Sequence, residues 1–323
     1  MTPCSLPRQA PLLQAIFALP PPLLVVAGVH PRMQNVPALL QPLHLSAYSG
    51  HTECVRILIG LRADVNSQAG DSDTALHKAC FQGHPAVTRL LLSAGASAEA
   101  MTPVRVESEP CSHGNAQCPG HRQVKEGRRT PLHYAVTHDF GRDQPGKPGG
   151  GVAGRVACVE ELLSHGVDPN VGDAWNLTAL HHACHRGFQE AVAVLQRHAG
   201  TDLNCQDGED RRGDTPLIKA AYKGHVEIVQ RLLSERASSG IDDLDAEGAN
   251  PDIANRLGFT ALHLASDQGH TDVVAALIQA GAKSLRDPRG MLAVQMATER
   301  GHAGVVALLQ GAEEHRADAT HHV

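Results

Sequence analysis

The residues best suited to metal chemistry lie in one short segment of this chain of 323 residues. The stretch PCSHGNAQCPGH places four candidate zinc ligands within eleven residues, namely Cys111, His113, Cys118 and His121. Thiolate and imidazole groups are ligands that zinc prefers. The spacing C-x-H-x4-C-x2-H differs from the usual structural zinc patterns, which favours a loop with incidental Cys and His. We therefore expect no metal or cofactor, with a zinc-stabilised binding module as the alternative.

A second concentration of histidines is the segment HHACH, which contains His181, His182, Cys184 and His185. On a helix, His181 and His185 are four residues apart and could share a face. However, His181 belongs to a phrase that recurs along the chain, and Cys184 occupies an alanine-like packing position, so both have structural roles. No glycine loop for phosphate, carboxylate pair or nucleophile context accompanies them. The sequence therefore predicts no metal site here, and it predicts that the protein is not an enzyme.

The recurring phrase is TALHKACFQGHPAVTRLLLSAGA at its first full occurrence, and it returns as TPLHYA, TALHHACHRG, TPLIKAAYKGH and TALHLASDQGH. His44 and His77 are 33 residues apart, since 77 − 44 = 33. The later motif positions 133, 181, 218 and 263 are spaced by 48, 37 and 45 residues. Spacing that grows from a fixed period indicates insertions between repeated units.

Each unit carries the signals of two short helices and a turn. A threonine such as Thr74 precedes the first helix, where its hydroxyl can accept a hydrogen bond from an unpaired N–H. A glycine such as Gly83 ends that helix because glycine enters the left-handed conformation without strain. The second helix is aliphatic on one face. No unit can bury that face alone, so the units must stack.

The pattern T-[PA]-L-H-x-A, followed by G-H, an aliphatic helix and G-A-x-x-N, resembles the ankyrin repeat over roughly residues 40–312 and seven units. The resemblance implies an all-α repeat protein, an α-solenoid of stacked helix-turn-helix units with short β-hairpin fingers. It also implies that short inner helices and fingers form a concave groove that binds other proteins. Arg62 and Arg236 depart from the pattern, because each stands where glycine normally ends the second helix, and Ile218 replaces one motif histidine.

The chain divides into three parts. They are a Pro-rich leader at residues 1–36, a repeat domain at residues 37–312 and a polar C-terminal tail at residues 313–323. Insertions are predicted near residues 101–128, 139–154 and 237–248, as loops whose composition cannot bury enough surface to order itself. The leader has no Asp or Glu, and its LLVVAG stretch is similar to the tail of a degenerate repeat. It is therefore a disordered leader, a capping half-repeat or a targeting segment.

Composition narrows the compartment and the class of partner. The formal net charge is −6, whereas proteins that bind nucleic acids or anionic membranes usually carry a basic surplus. The sequence contains no run of 18 apolar residues that could span a membrane. Its eight cysteines are spread along the chain, which is typical of a reducing compartment. We expect a cytoplasmic monomer, with the nucleus as an alternative, whose partners are proteins.

Aromatic residues mark the candidate binding surface, because the chain has only nine of them. In the ankyrin family, the position two residues before the first-helix glycine faces the groove. The candidate partner-binding residues are Tyr48, Phe81, His185 and Tyr222 at this position, Tyr134 beside a motif histidine, and Trp175 and Phe259 near the finger tips. Exposed aromatic residues are favoured anchors for partners, although packing on adjacent units is the alternative.

The charged residues near these positions predict a gradient along the groove. The basic residues Lys78, Arg56 and Arg62 lie near the first aromatic positions. The acidic residues lie further along the chain, at Asp207, Glu209, Asp210, Asp267 and Glu299. A groove that changes from weakly basic to acidic could orient a partner segment.

The sequence thus favours a non-catalytic protein–protein interaction module, a scaffold or adaptor that binds its partner through groove and fingers. The alternatives are a targeting or regulatory subunit of an enzyme complex, such as a ubiquitin ligase or kinase assembly, and a zinc-stabilised binding module that uses residues 111–121. Ankyrin-type grooves carry unrelated surfaces, so the fold does not name the partner.

Overall fold

The computed structural model describes residues 42–103, 105–108, 123–137, 150–208, 212–234 and 248–321. The described residues form fourteen helices and one two-stranded antiparallel sheet. The helices are α1 Pro42–Tyr48, α2 Thr52–Gly60, α3 Ala75–Gln82, α4 Pro85–Ser93, α5 Pro131–Val136, α6 Gly151–Ser164, α7 Ala179–Arg186, α8 Gln189–Arg197, α9 Pro216–Lys223, α10 Val226–Leu233, α11 Ala261–Gln268, α12 Thr271–Gln279, α13 Ala293–Arg300 and α14 Ala303–His321. The strands are β1 Arg105–Ser108 and β2 Gln123–Glu126.

The helices come in pairs, so that each odd-numbered helix is the first helix of a repeat and each even-numbered helix is the second. Seven such pairs are present in the described residues, as the sequence predicts. The first helices start in the same way wherever the Thr and His of the motif are present. The Thr74 N–H donates to Nδ1 of His77 at 3.2 Å, and the His77 N–H donates to the Thr74 hydroxyl at 3.5 Å. This reciprocal pair satisfies two N–H groups that a helix start would leave unpaired.

The motif histidine also ties one repeat to the next. Nε2 of His181 lies 3.0 Å from the Asp214 carbonyl oxygen, and Nε2 of His44 lies 3.0 Å from that of Ser67. Because Nδ1 of His181 accepts from the Thr178 N–H at 3.2 Å, its Nε2 carries the ring proton and donates to the Asp214 carbonyl. His181 thus has the structural role that the sequence predicts, and its ring also connects neighbouring repeats.

The chain forms two compact units, each of which stacks its own repeats. The first unit comprises the described residues up to Pro103 together with Thr130–Val167, and the second comprises Val104–Arg129 and Asp168 onward. In the first unit, α3 packs between α1 and α5, and α4 packs between α2 and α6. In the second unit, α7, α9, α11 and α13 pack side by side, as do α8, α10, α12 and α14. The buried side chains are mostly Leu, Val, Ala and Cys, which suits closely packed short helices.

The insertions differ in part from their predicted form. Strands β1 and β2 pair antiparallel from Arg105 opposite Glu126 to Ser108 opposite Gln123, within the predicted insertion 101–128. The prediction that residues 139–154 form a loop is wrong for the last four residues, because helix α6 starts at Gly151. A Cβ atom on Gly150 would lie 1.6 Å from the Gly83 carbonyl oxygen, and one on Gly154 would lie 2.2 Å from it. These glycines therefore allow a helix to pass close to the α3 terminus.

Other predicted segments lie partly or wholly outside the described residues. The leader 1–36, the zinc candidates 111–121, Arg236 and most of the insertion 237–248 belong to the parts of the chain that the structure does not describe. The predicted polar tail 313–323 continues helix α14 as far as His321. Among the described residues, no helix has both the length and the apolar character needed to cross a membrane.

Candidate functional site

The predicted binding residues lie mainly at the C-terminal ends of the first helices, two residues before the glycine that ends each helix. The side chains of Tyr48 and Tyr222 are exposed by 44% and 38%, and His185 is also exposed. Phe81 is half-buried. We call the exposed side of the first helices, together with the turns that precede them, the first-helix face of each unit.

A histidine of the next repeat fixes the backbone at this position. Nε2 of His84 lies 3.0 Å from the Tyr48 carbonyl oxygen, and Nε2 of His270 lies 3.1 Å from that of Tyr222. The His84 ring occupies the space that a Cβ atom of Gly50 would need, since Cε1 would lie 2.6 Å away. The glycine of each Gly-His pair forms a left-handed turn, as at Gly50. The histidine of the next pair, as at His84, packs against that turn and so connects the two repeats. Sequence reasoning assigned the glycine but not the function of this histidine.

In the first unit, three rings from neighbouring repeats form a cluster on the first-helix face. The Tyr134 ring centroid lies 6.1 Å from that of Phe81 and 5.0 Å from that of His77, both edge-on. The Tyr134 hydroxyl donates to Oδ1 of Asp73 at 2.6 Å. Edge-on ring pairs at these distances are favourable, so Phe81 and Tyr134 also stabilise the contact between repeats.

The charge at Lys78 is balanced within the same unit. Its ammonium group pairs with Asp71 and lies 2.7 Å from Oδ2 of Asp73. Burial alone would lower the pKa of Lys78, but the two carboxylates hold that pKa above its ordinary value. Arg56 is on the second helix α2, where it pairs with Glu53 at 3.4 Å. Lys78 and Arg56 therefore do not give the groove the weakly basic start that the sequence predicts, because Lys78 is paired with two carboxylates and Arg56 lies on a second helix.

In the second unit, a buried carboxylate organises the turn that holds Trp175. Oδ1 of Asp173 accepts from the Trp175 N–H at 2.8 Å, and its Oδ2 accepts from Nε2 of His182 at 2.9 Å. Burial would raise the pKa of Asp173, but His182 and the backbone N–H groups lower it. The Trp175 carbonyl accepts from the Gly208 N–H at 2.7 Å, which links this turn to the next one. Trp175 is half-buried, in a turn with a fixed backbone.

The next repeat has a similar network around Lys219. Its Nζ lies 2.7 Å from Oδ2 of Asp207 and 2.8 Å from Oδ2 of Asp214. Nδ2 of Asn255 donates to Oδ1 of Asp214 at 2.7 Å, so the network reaches the following turn. The prediction that Asp207 contributes a free acidic group is wrong, because its carboxylate is buried against Lys219. Glu209 and Asp210 lie outside the described residues.

His185 and Tyr222 form the most exposed aromatic part of the face in the second unit. Partial burial, followed by the positive charges of Lys223, Lys219 and neighbouring groups, lowers the pKa of His185 to about 4. The imidazole is therefore neutral at pH 7 and can both donate and accept a hydrogen bond. Nζ of Lys223 lies 5.7 Å from the centroid of the Tyr222 ring, within range of a cation–π contact.

Two further turns carry apolar and charged groups. Phe259 is half-buried, with its ring centroid 6.1 Å from that of His263 and the Arg289 guanidinium carbon 5.8 Å from the ring. Leu257, two residues earlier, is 48% exposed and Arg256 is exposed too. Sequence reasoning missed Leu257, although an apolar residue just before a turn glycine was a visible signal. Asp267, a predicted acid of the groove, pairs with Nε of Arg300 at 2.8 Å.

The metal candidates inside the described residues have structural roles. His181 is buried, and burial lowers its pKa to about 3. His185 is exposed, whereas His181 is buried, so these two histidines do not form one site. The part of the chain that the structure describes contains no group of three or more His, Cys, Asp or Glu side chains that could hold a metal ion.

Comparison with protein families gives a consistent assignment. A family model described as ankyrin repeats matches residues 22–102, 152–245 and 237–320, and a second ankyrin repeat model matches residues 128–174. The chain is 28% identical to the B-cell lymphoma 3 protein homolog of Mus musculus over 251 residues, or 75% of this chain and 44% of that protein. It is 30% identical to the ankyrin repeat and SOCS box protein 16 of Mus musculus over 265 residues, or 75% of this chain and 52% of that protein.

The chain thus spans about half the length of these curated relatives, 44% and 52% respectively. A solved structure, the crystal structure of the ankyrin repeat domain of Bcl-3, superposes with a TM-score of 0.59 and 26% sequence identity. The superposition covers 84% of this chain and 98% of that domain.

Proposed function

The chain belongs to the ankyrin repeat family, and we propose that it is a non-catalytic scaffold or adaptor that binds partner proteins through its first-helix faces. Ankyrin repeat relatives support the general assignment to protein interaction. The proposed contact residues are Tyr48, Phe81 and Tyr134 in the first unit, and Trp175, His185, Tyr222 and Phe259 in the second. Fold alone does not name the partner, so the proposal depends on these side chains.

The main support is the exposure of Tyr48 and Tyr222 on backbones that are already fixed. Their carbonyl groups are held by His84 and His270, so binding a partner would not need to order these segments. A pre-organised aromatic side chain loses little conformational entropy on binding, and tyrosine is enriched among residues that dominate binding energies. The half-buried rings of Phe81 and Tyr134 add apolar surface to the same unit as Tyr48, and they contact each other edge-on.

A photo-crosslinking experiment tests the proposal. A photoreactive phenylalanine analogue replaces Tyr48 or Tyr222, and in the matched control it replaces Leu308, an exposed apolar residue on the second helix α14. We expect specific protein adducts at positions 48 and 222 and none of the same adducts at position 308. Equal labelling at all three positions, or adducts only at position 308, would contradict the proposal.

Alanine variants then measure what the tyrosines contribute. We expect Tyr48→Ala or Tyr222→Ala to weaken the captured partner's affinity by about tenfold or more, as for central aromatic residues of interfaces. The Leu308→Ala control should leave that affinity unchanged. The identity of the partner also separates a scaffold from a regulatory subunit, because a subunit of an enzyme assembly should capture the enzyme itself. The proposed setting is a reducing intracellular compartment, and the monomeric state is part of the proposal.

A further inference from the structure

Two buried cysteines of the first unit lie against one threonine. Cys80 belongs to α3 and Cys158 to α6, and both are fully buried free thiols. Oγ1 of Thr88, on α4, lies 3.8 Å from Sγ of Cys80 and 3.3 Å from Sγ of Cys158. The Cys80 thiol also donates a hydrogen bond to the sulfur of Cys158. Three helices thus bring together two cysteines that are 78 positions apart in the chain, since 158 − 80 = 78.

Thr88 is an exception at its position in the repeat, which precedes the glycine at the end of the second helix by seven residues. The equivalent residues of the other second helices are all valine, namely Val55, Val159, Val192, Val229, Val274 and Val306. Thr88 is fully buried, and its hydroxyl has the two sulfur atoms as hydrogen-bonding neighbours. A buried hydroxyl costs stability unless it is hydrogen-bonded, whereas valine has a similar shape without that cost. The threonine therefore indicates a specific role beside the two thiols.

The two thiols differ in acidity. The hydrogen bond from Cys80, together with one from the Thr88 hydroxyl, lowers the pKa of Cys158 against the opposing effect of burial. Burial raises the pKa of Cys80 instead. Cys184 occupies the position of Cys80 in the fourth repeat, and burial raises its pKa as well. Because the thiolate is the nucleophile, Cys158 is the reactive thiol of the pair and Cys80 is the thiol that resolves its oxidised form.

We propose that Cys80 and Cys158 are a reversible disulfide site for oxidation by a hydroperoxide, with Thr88 as its positioning residue. The Cys158 thiolate attacks one oxygen of the O–O bond, which forms a sulfenic acid and releases the other oxygen as an alcohol, or as water from hydrogen peroxide. The Cys80 sulfur then attacks the sulfenic sulfur, so that an S–S bond forms and the hydroxyl leaves as water with the Cys80 proton. Two electrons thus pass from the two thiols to the O–O bond. Two equivalents of a small thiol such as glutathione reverse the step by exchange and become a disulfide themselves.

A small oxidant reaches the pair when the start of α6 opens. Gly150 precedes α6 and provides no side-chain hydrogen bond to its first turn. Gly151 and Gly154 lie within that turn, and glycine has a low helix propensity. Weakly held helix ends open locally far more often than the whole fold does. Cys158 lies one turn beyond Gly154, so such opening exposes it while the repeats remain folded.

Peroxide treatment of the full chain tests the site. The reduced protein is incubated with hydrogen peroxide, and its remaining thiols are blocked with N-ethylmaleimide in denaturant before peptide mapping without a reductant. We expect a disulfide-linked pair of peptides that joins Cys80 to Cys158 and disappears after treatment with reduced glutathione. Cys184 is the internal control. It should remain a free thiol, because the second helices of its own and the next repeat, α8 and α10, contain no cysteine.

Three variants separate the roles of the residues. Alanine stands at the equivalents of both cysteines, Ala221 for Cys80 and Ala191 for Cys158, so alanine variants should keep the fold. In Cys80→Ala, peroxide should leave a Cys158 sulfenic acid that dimedone traps. In Cys158→Ala, Cys80 should stay a free thiol. Thr88→Val introduces the residue of the other repeats, and it should slow disulfide formation about tenfold, the effect of one hydrogen bond to a charged group.

Protection of Cys184 from N-ethylmaleimide without denaturant checks that each variant is folded. Four results obtained with Cys184 protected would overturn the proposal. They are free thiols at Cys80 and Cys158 after peroxide treatment, a link between them that joins two chains as a dimer, an unchanged rate in Thr88→Val, and a Cys184–Cys205 disulfide that forms equally fast. The last result would show that oxidation does not depend on the contact between the two thiols.

Discussion

Arg62 adopts a backbone conformation that an arginine rarely takes. Its φ is 61°, at the position where Gly95 and Gly166 end the second helices of the next two repeats. A residue with a Cβ atom pays about 1 kcal/mol for the left-handed conformation, whereas glycine does not. We predict that Arg62→Gly raises the free energy of unfolding by up to about 1 kcal/mol, measured by urea denaturation.

The control for this substitution is Arg56→Gly, in the middle of α2. It makes the same chemical change where the backbone is helical, so it should lower the free energy of unfolding by about 1 kcal/mol. A loss of stability in both variants would mean that the arginine side chain, not the backbone, determines the effect at position 62.

The His181 ring must be neutral to connect the start of α7 to the next repeat, because its Nδ1 accepts a hydrogen bond while its Nε2 donates one. Burial lowers its folded pKa to about 3, while the ordinary pKa of histidine is about 6.5. Between these two values the unfolded chain binds more protons than the folded one, so stability falls as the pH decreases from 6.5 towards 3. The maximum slope from one such group is about 1.4 kcal/mol per pH unit.

His181→Gln tests this titration, because the seventh repeat shows that glutamine can serve at the same position. There, Oε1 of Gln295 accepts from the Leu292 N–H at 2.8 Å, in place of the histidine ring. Glutamine does not titrate, so we predict that any stability advantage of the native chain over the variant shrinks between pH 7 and pH 5. Urea denaturation at both pH values measures it. A difference that is the same at both would show that His181 does not titrate on unfolding.

At the scale of the helix, the close approach of α6 to α3 depends on glycine. A Cβ atom on Gly154 would lie 2.2 Å from the carbonyl oxygen of Gly83, which is backbone and cannot rotate away. We predict that Gly154→Ala lowers the free energy of unfolding by about 1–3 kcal/mol through overpacking, although alanine has the higher helix propensity.

Gly311→Ala in α14 is the matched control, because a Cβ atom there meets nothing within 4 Å. That substitution should be neutral or slightly stabilising, as helix propensity alone predicts. Thermal unfolding of both variants measures the two effects. If Gly154→Ala were as mild as the control, the close approach of the two helices would not exist in solution.

The repeat pattern was predictable because it depends on local rules. Thr74 and its equivalents start helices, and Gly83 ends one, for reasons that act within a few residues. The helical end of the insertion 139–154 was not predictable in this way. Composition predicts that Gly150 and Gly154 lie in a loop. In the structure, their lack of a side chain leaves room for the carbonyl group of Gly83, which is distant in the sequence.

The candidate surface was predictable in position but not in charge. The alignment on glycine correctly identified Tyr48 and Tyr222 as exposed side chains. The pairing of Lys219 with Asp207 and Asp214 depends on turns that fold back onto the first helix, which no local pattern encodes. The sequence shows which residues are charged but not which of them form ion pairs. The predicted change from basic to acidic residues along the groove is therefore weakened by ion pairs such as those of Lys219.

For the whole molecule, these local pairings determine how salt should affect partner binding. Lys78 and Lys219 are each paired with two carboxylates on the first-helix faces, although the chain carries a formal net charge of −6. Charges paired within the protein contribute little to long-range attraction, and salt screens only the remainder. We therefore predict that binding depends mainly on the aromatic side chains and is weakly sensitive to salt.

The measurement is the dissociation constant of a partner captured through Tyr48 or Tyr222, determined by calorimetry at low and high sodium chloride concentration. We expect it to change by less than about threefold, because burial of apolar surface is not screened by ions. The thermal unfolding midpoint at both concentrations controls for effects of salt on the fold. A weakening of tenfold or more with an unchanged midpoint would mean that charges such as that of Lys223 beside Tyr222 dominate recognition.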